Sequence, residues 1–186
     1  MLNIETAMIQ DQIKIRLNTD VTKACMGDQK AYERLIIPLE NKMYRVSRSV
    51  LFHDADCSDA IQETLVRVWR KISQLKDSTL FEPWLMRILV NECYKQAKRN
   101  KQNISFNDDL LFEVKESSGD IDLSMDLRRI IDTLPRHERM VIVLYYTLGY
   151  KVKDVADILN IPTGTVKSQL SRGRTHLAKK LEEVYP

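Results

Sequence analysis

From about residue 22 to residue 101, apolar and polar positions follow a helical period, carried by good helix formers with almost no glycine. From 127 to 184 the pattern is helical again, broken at Pro135, Gly149 and Pro162. Between them, QNISFNDDLLFEVKESSGDIDLSMD (102–126) holds no sustained period. The pattern predicts an all-α chain of two small helical domains, 22–101 and 127–186, joined by a flexible linker over 102–126. Residues 1–21 form an N-terminal extension, and the pattern leaves open whether it is a short helix or a mobile segment. No internal repeat is visible.

In SDAIQETLVRVWRKI (58–72), Ile61, Leu65, Val68, Trp69 and Ile72 form one apolar stripe. At about 100° per residue, Asp59, Gln62, Glu63 and Val66 gather on the opposite side. An acidic and amide cluster beside an exposed valine suits docking onto an arginine-rich surface, although an ordinary solvated face has the same composition. The next helix carries Pro83 in its first turn. Leu85, Met86, Leu89 and Cys93 cluster inward, while Arg87, Asn91, Tyr94, Lys95 and Lys98 share an outer face with Trp84 at its edge. Basic and amide groups interleaved with aromatics suit gripping phosphates while stacking on unpaired bases. Before this helix, KDSTLF (76–81) reads as a polar loop, whose Lys76, Asp77, Ser78, Thr79 and Leu80 suit a small pocket for an extruded base.

In the second domain, MVIVLYY (140–146) is a core segment ending near Gly149. Val152, Val155, Ala156 and Leu159 then define a short amphipathic helix closing at Asn160, and a tight turn through Ile161 and Pro162 leads into a further helix. On that last helix Val166, Leu170, Leu177 and Leu181 form one stripe. Gly173 lies on it, where a missing side chain admits a close neighbour. Ser168, Ser171, Arg172, Thr175 and Lys179 face away, flanked by Lys167 and Gln169. Two short helices across a tight turn, the second presenting small polar and basic groups, form a helix-turn-helix.

Charge sharpens this reading. The chain has a formal net charge of only +3 over 186 residues, so any affinity for nucleic acid depends on where the charge sits. Residues 160–181 contain five lysines and arginines and no carboxylate, whereas 102–126 hold seven carboxylates against Lys115 alone. A carboxylate on a helix in the major groove would face two rows of phosphates, which explains its exclusion. Cys25, Cys57 and Cys93 are odd in number and widely spaced, with no CxxC pair. This argues against a disulfide framework or zinc ribbon and suits a reducing cytosol. The three histidines lack ligand-like neighbours, no apolar run is long enough to span a membrane, and the first residues carry acids where a signal peptide would be apolar. Neither a catalytic constellation nor a phosphate-cradling glycine loop stands out.

Taken in order, these stretches resemble bacterial sigma factors of the extracytoplasmic-function (ECF) type, which retain the second and fourth sigma domains. SDAIQETLVRVWRKI is similar to the family's polymerase-binding motif. FEPWLMRILVNECYKQAKR is similar to the segment that melts and reads the minus-ten element, and LPRHERMVIVLYYTLGYKVKDVADILNIPTGTVKSQLSRGR to the domain that reads the minus-thirty-five element. The resemblance runs from about Val21 to Glu183. It implies a subunit that directs core RNA polymerase to promoters, probing the β′ clamp helices with Asp59, Gln62, Glu63 and Val66 and contacting the β flap. It implies minus-ten contacts by Lys76–Leu80, Arg87 and Asn91, to which the face reading adds Trp84, Tyr94, Lys95 and Lys98, and minus-thirty-five contacts by Lys167, Ser168, Gln169, Ser171 and Arg172, to which the reading of the last helix adds Thr165 and Lys179. Many relatives carry arginine where Gln169 stands. Further implications are a stress or envelope response, an anti-sigma factor that is often membrane-bound, and residence in the cytoplasm or at the inner face of the membrane. No enzyme activity, cofactor, metal or small-molecule substrate is implied. The acidic linker either threads the polymerase near its active-centre cleft or only spans distance. A free-standing helix-turn-helix regulator is the alternative reading, and would bind a palindromic duplex without polymerase.

Overall fold

The computed structural model describes residues 2–103 and 123–184. Most of the predicted linker, 104–122, lies outside the described residues. Nine α-helices and a few short 3₁₀ or π turns make up the described chain.

Five helices precede the linker: α1 (Leu2–Cys25), α2 (Gln29–Ile36), α3 (Glu40–Arg48), α4 (Asp54–Lys71) and α5 (Phe81–Asn103). The extension is therefore helical, and α1 runs without a break past residue 21. Its last third is anchored: Val21 and Ala24 are buried and Leu17 packs beside them, while Ile13 and Ile15 stay exposed. Arg34 of α2 clasps the nearly buried Asp20 at 2.6 Å, and the Cys25 thiol donates to the Ile72 carbonyl at 3.4 Å. Gly27, at φ 90°, turns the chain out of α1, and Asp28 caps α2 by accepting from the Ala31 N–H.

In α4 the line that reaches the core is Cys57, Ala60, Thr64 and Val68, with Ile72 just beyond the helix. Ile61, Leu65 and Trp69 from the expected stripe are only half-buried. The correction has a steric cause: α5 packs directly on α4, and small side chains let the two backbones approach. Tyr32 covers the shoulder, donating its hydroxyl to the Leu65 carbonyl at 2.7 Å and meeting Trp69 edge to face. On α5, Leu85, Met86, Leu89 and Cys93 are all fully buried. Burying such side chains stabilises the domain by about 2 kcal/mol each. Burial also pushes the Cys93 thiol up to about 12, which keeps it protonated and inert.

After the linker come α6 (Leu123–Asp132), α7 (Arg136–Ile142), α8 (Val152–Leu159) and α9 (Thr163–Val184). Helix α6 begins four residues inside the segment expected to be linker. Pro135 stands just ahead of α7 as its N-cap, and a π turn over Val143–Thr147 continues the helix. Met140 to Leu144 are buried, but Tyr145 is half-buried and Tyr146 exposed, so the expected core segment ends at Leu144. Ile158 joins Val155 and Ala156 in the core from α8, a position the sequence reading left out.

Candidate nucleic-acid interface

The helix-turn-helix is built locally. Asp154 accepts from the Lys151 N–H at the start of α8, and Asn160 ends the helix with a left-handed backbone, φ 54°. Pro162 follows; its carbonyl accepts from the N–H groups of Thr165 and Val166, which starts α9. Val166, Leu170 and Gly173 are buried against the domain and Leu177 is half-buried. A Cβ at Gly173 would stand 2.9 Å from Ile142 Cγ1, so glycine there sets how closely α7 and α9 approach. The seam also holds a pair the sequence did not reveal. Glu138 of α7, only 3% exposed, meets His176 Nδ1 of α9 at 2.6 Å.

The expected reading face follows from that seam. Lys167, Ser168, Ser171, Arg172 and Lys179 are exposed, while Thr165 and Gln169 are half-buried at its margin. Ser168 donates to the Thr165 carbonyl and Thr175 to the Ser171 carbonyl, so these hydroxyls lie close to their own helix and keep the face slender.

In the first domain, Asp59, Gln62, Glu63 and Val66 are all exposed on one side of α4, Val66 at 42%. They border a depression of about 370 Å³ whose far bank is Glu92, Lys95, Gln96 and Arg99 of α5. Glu92 is 7% exposed and draws Arg67 Nε and Lys95 Nζ to 3.0 Å each, while Arg67 Nε also lies 3.3 Å from Glu63. A charged chain Glu63–Arg67–Glu92–Lys95 therefore links the two sides of the domain.

The expected minus-ten residues divide into three places. Asn91, Tyr94, Lys95 and Lys98 share a groove of about 520 Å³, and α4 supplies Arg67 and Lys71 opposite them. Those two cations were missed because pairing between α4 and α5 leaves no trace in the spacing of either helix. Lys76 to Thr79 lie in a separate recess beside α1. The loop itself is a 3₁₀ turn over Ser78–Leu80, and the expected polar loop is shorter than 76–81 because Phe81 is buried and opens α5. Leu80 is 53% exposed. Trp84, half-buried, lies 6.4 Å from Phe81 at the edge of the face.

Arg87 occupies the third place. It is exposed, and it donates to the Asn160 side chain at 3.2 Å, where α8 packs on α5. The same contact continues at Glu82, whose Oε1 accepts from Tyr150 and from Lys42 at 2.6 Å each. Burial, and then the Glu82 carboxylate, push the Tyr150 phenol well above its usual range, so it acts as a donor. Nearby, Arg139 stacks 4.9 Å over the Phe52 ring. No group of acidic, histidine or cysteine side chains among the described residues suits a metal ion, and no described helix is long and apolar enough to cross a membrane.

An exposed acidic face, a basic and aromatic groove and a helix-turn-helix on one helical chain are the arrangement expected of a two-domain sigma-type subunit. Comparison with known proteins places it further. Residues 35–103 match the model of Sigma-70 region 2 and residues 124–177 that of Sigma-70, region 4. The ECF RNA polymerase sigma-E factor of Salmonella typhimurium is 31% identical over 178 residues, which covers 87% of this chain and 92% of that protein. The ECF RNA polymerase sigma factor SigM of Mycobacterium tuberculosis is 26% identical over 155 residues, covering 83% of this chain and 79% of that protein. In structure, the sigma factor RpoE from Bartonella quintana, crystallised with the anti-sigma factor NepR, superposes with a TM-score of 0.69 at 25% identity, over 84% of this chain and 99% of that one. The chain belongs to the ECF sigma factors. Sigma factors bind core RNA polymerase and promoter DNA and act in initiation without being enzymes, and this membership sets aside the free-standing regulator.

Proposed function

We propose that this sigma factor uses α4 to dock on core polymerase, the α5 groove with the 76–80 turn to hold the opened minus-ten strand, and α9 to read the minus-thirty-five duplex. In this reading residues 22–101 and 127–186 are the two working domains and 102–126 is their acidic connection. The observation that carries the proposal is the segregation of faces. Asp59, Gln62, Glu63 and Val66 are exposed together on α4, with Lys95 and Arg99 of α5 across the depression beside them, while Asn91, Tyr94 and Lys98 line a separate groove and the exposed lysines and arginines of α9 lie on the other domain. An acidic face suits an arginine-rich protein partner and would be repelled by DNA. The basic faces have the reverse preference.

Docking precedes reading in this scheme. With α8 packed over Arg87, one end of the α5 face is covered, so the domains part before both promoter elements are engaged. Capturing unstacked bases offsets a melting cost of a few kcal/mol per base, and polymerase contacts supply the remainder. An anti-sigma factor holds the protein inactive until a stress or envelope signal arrives, in the cytoplasm or at the inner face of the membrane. Support comes from the RpoE relative, whose solved structure contains one.

Asp59→Ala combined with Glu63→Ala tests the docking face. Both side chains are exposed, so helical content and melting should stay as in wild type while affinity for core polymerase falls at least tenfold. Unchanged affinity would refute the assignment. Run-off transcription with purified core enzyme then checks that initiation becomes promoter-specific only when this subunit is present.

A further inference from the structure

We propose that α1 forms the second wall of the base-capture recess, with Asn18 reading the extruded minus-ten base and Lys14 holding its phosphate. The proposal deepens the reading of the 76–80 turn given above and rests on it. A recess of about 380 Å³ lies between the two elements. Lys14, Ile15 and Asn18 come from α1, and Lys76 to Thr79 from the turn.

Three observations carry it. First, the wall is fixed in place. Asp20, two residues after Asn18, is clasped by Arg34, Val21 and Ala24 are buried, and the Cys25 thiol donates to the Ile72 carbonyl, in the separate 3₁₀ turn that precedes Lys76. Lys14 and Asn18, one helical turn apart, therefore project from an anchored helix in a set register. Second, the opposite wall is preorganised. Asp77 Oδ1 accepts from the Thr79 hydroxyl at 2.6 Å and from the Thr79 N–H at 2.9 Å. These bonds, with Lys14 adding a smaller pull, hold the Asp77 carboxyl below its usual range. Third, the lining offers what a single unpaired base needs. Asp77 is an acceptor for an exocyclic amine, Asn18 carries a donor and an acceptor, Lys14 and Lys76 are cations for the flanking phosphates, and Ile15, 66% exposed, is an apolar ledge.

That donor pattern selects a chemistry. Cytosine and adenine present an amine beside a ring-nitrogen acceptor, so the amine can donate to the Asp77 carboxylate and the ring nitrogen can accept from the Asn18 amide, both of which line the recess. Thymine carries no exocyclic amine and offers Asp77 only its ring N–H.

The test uses the full chain bound to core polymerase. Promoters carry each of the four bases in turn at every minus-ten position, and transcription is compared for wild type, Asn18→Ala, Lys14→Ala and Asp77→Asn. Asn18→Ala should flatten the preference for cytosine or adenine at one position by about tenfold and leave the other positions alone. Lys14→Ala should weaken all four templates alike and lower the slope of log affinity against log salt by about one. If Asp77→Asn shifts the preference but neither α1 variant has any effect, the α1 wall is wrong and the turn reading survives. If no variant changes selectivity or salt slope at any position, both fall. Lys14 and Asn18 are exposed, so circular dichroism and core binding should match wild type.

Discussion

Helices α5 and α9 both turn basic side chains outward, yet they are built differently. Helix α5 lies deep in its domain, with four fully buried apolar residues beneath it, a nearly buried Glu92 organising cations around it, and Trp84 and Tyr94 along it. Helix α9 is held by a narrow seam of Val166, Leu170 and Gly173. Its proposed reading face carries no carboxylate and no Phe, Tyr or Trp up to residue 181. The difference matches two forms of nucleic acid. Unpaired bases expose flat faces and need rings and a wide trough. A closed duplex exposes only edges, and needs a slender helix that fits between phosphate rows.

The largest expected effect comes from forcing α9 away from its support. Gly173→Leu drives a side chain into Ile142 and should cost the second domain about 3 kcal/mol, seen in calorimetry as an earlier melting step with the first domain unmoved. Arg172→Ala should come next. Holoenzyme affinity for a minus-thirty-five duplex should drop about tenfold, with single-strand binding retained. Tyr94→Ala should do the opposite, lowering affinity for a minus-ten single strand roughly fivefold and sparing the duplex. Should either variant weaken both templates equally, the proposed division between the helices is wrong. Smallest is Tyr150→Phe, which deletes one donor to Glu82. It should raise the fraction of molecules with parted domains by less than about fivefold, measured by energy transfer between labels on α4 and α9.

Much of this was legible in the sequence. The inward set on α5, the outward set on α4 and the helix-turn-helix with its stripe all follow from a three- and four-residue period that a single packed face imposes. Helix α1 was not legible, because exposed Ile13 and Ile15 blur the period ahead of its buried Val21 and Ala24. The buried line of α4 was displaced by a residue because Ala60 and Thr64 are chosen for size, which a hydrophobicity pattern ignores. The ion pairs of Glu92 with Arg67 and of Glu138 with His176, and the bridge from Glu82 to Tyr150, join residues far apart in the chain. No local rule brings such residues together, so they emerge only with the tertiary fold.

Glu82 has a further consequence. It receives a cation from within its own domain and a neutral hydroxyl from the other, on the same oxygen. When the halves come apart the carboxylate retains Lys42 as its counter-ion, and the phenol passes to water. The Glu82–Tyr150 bond can therefore break without stranding a charge.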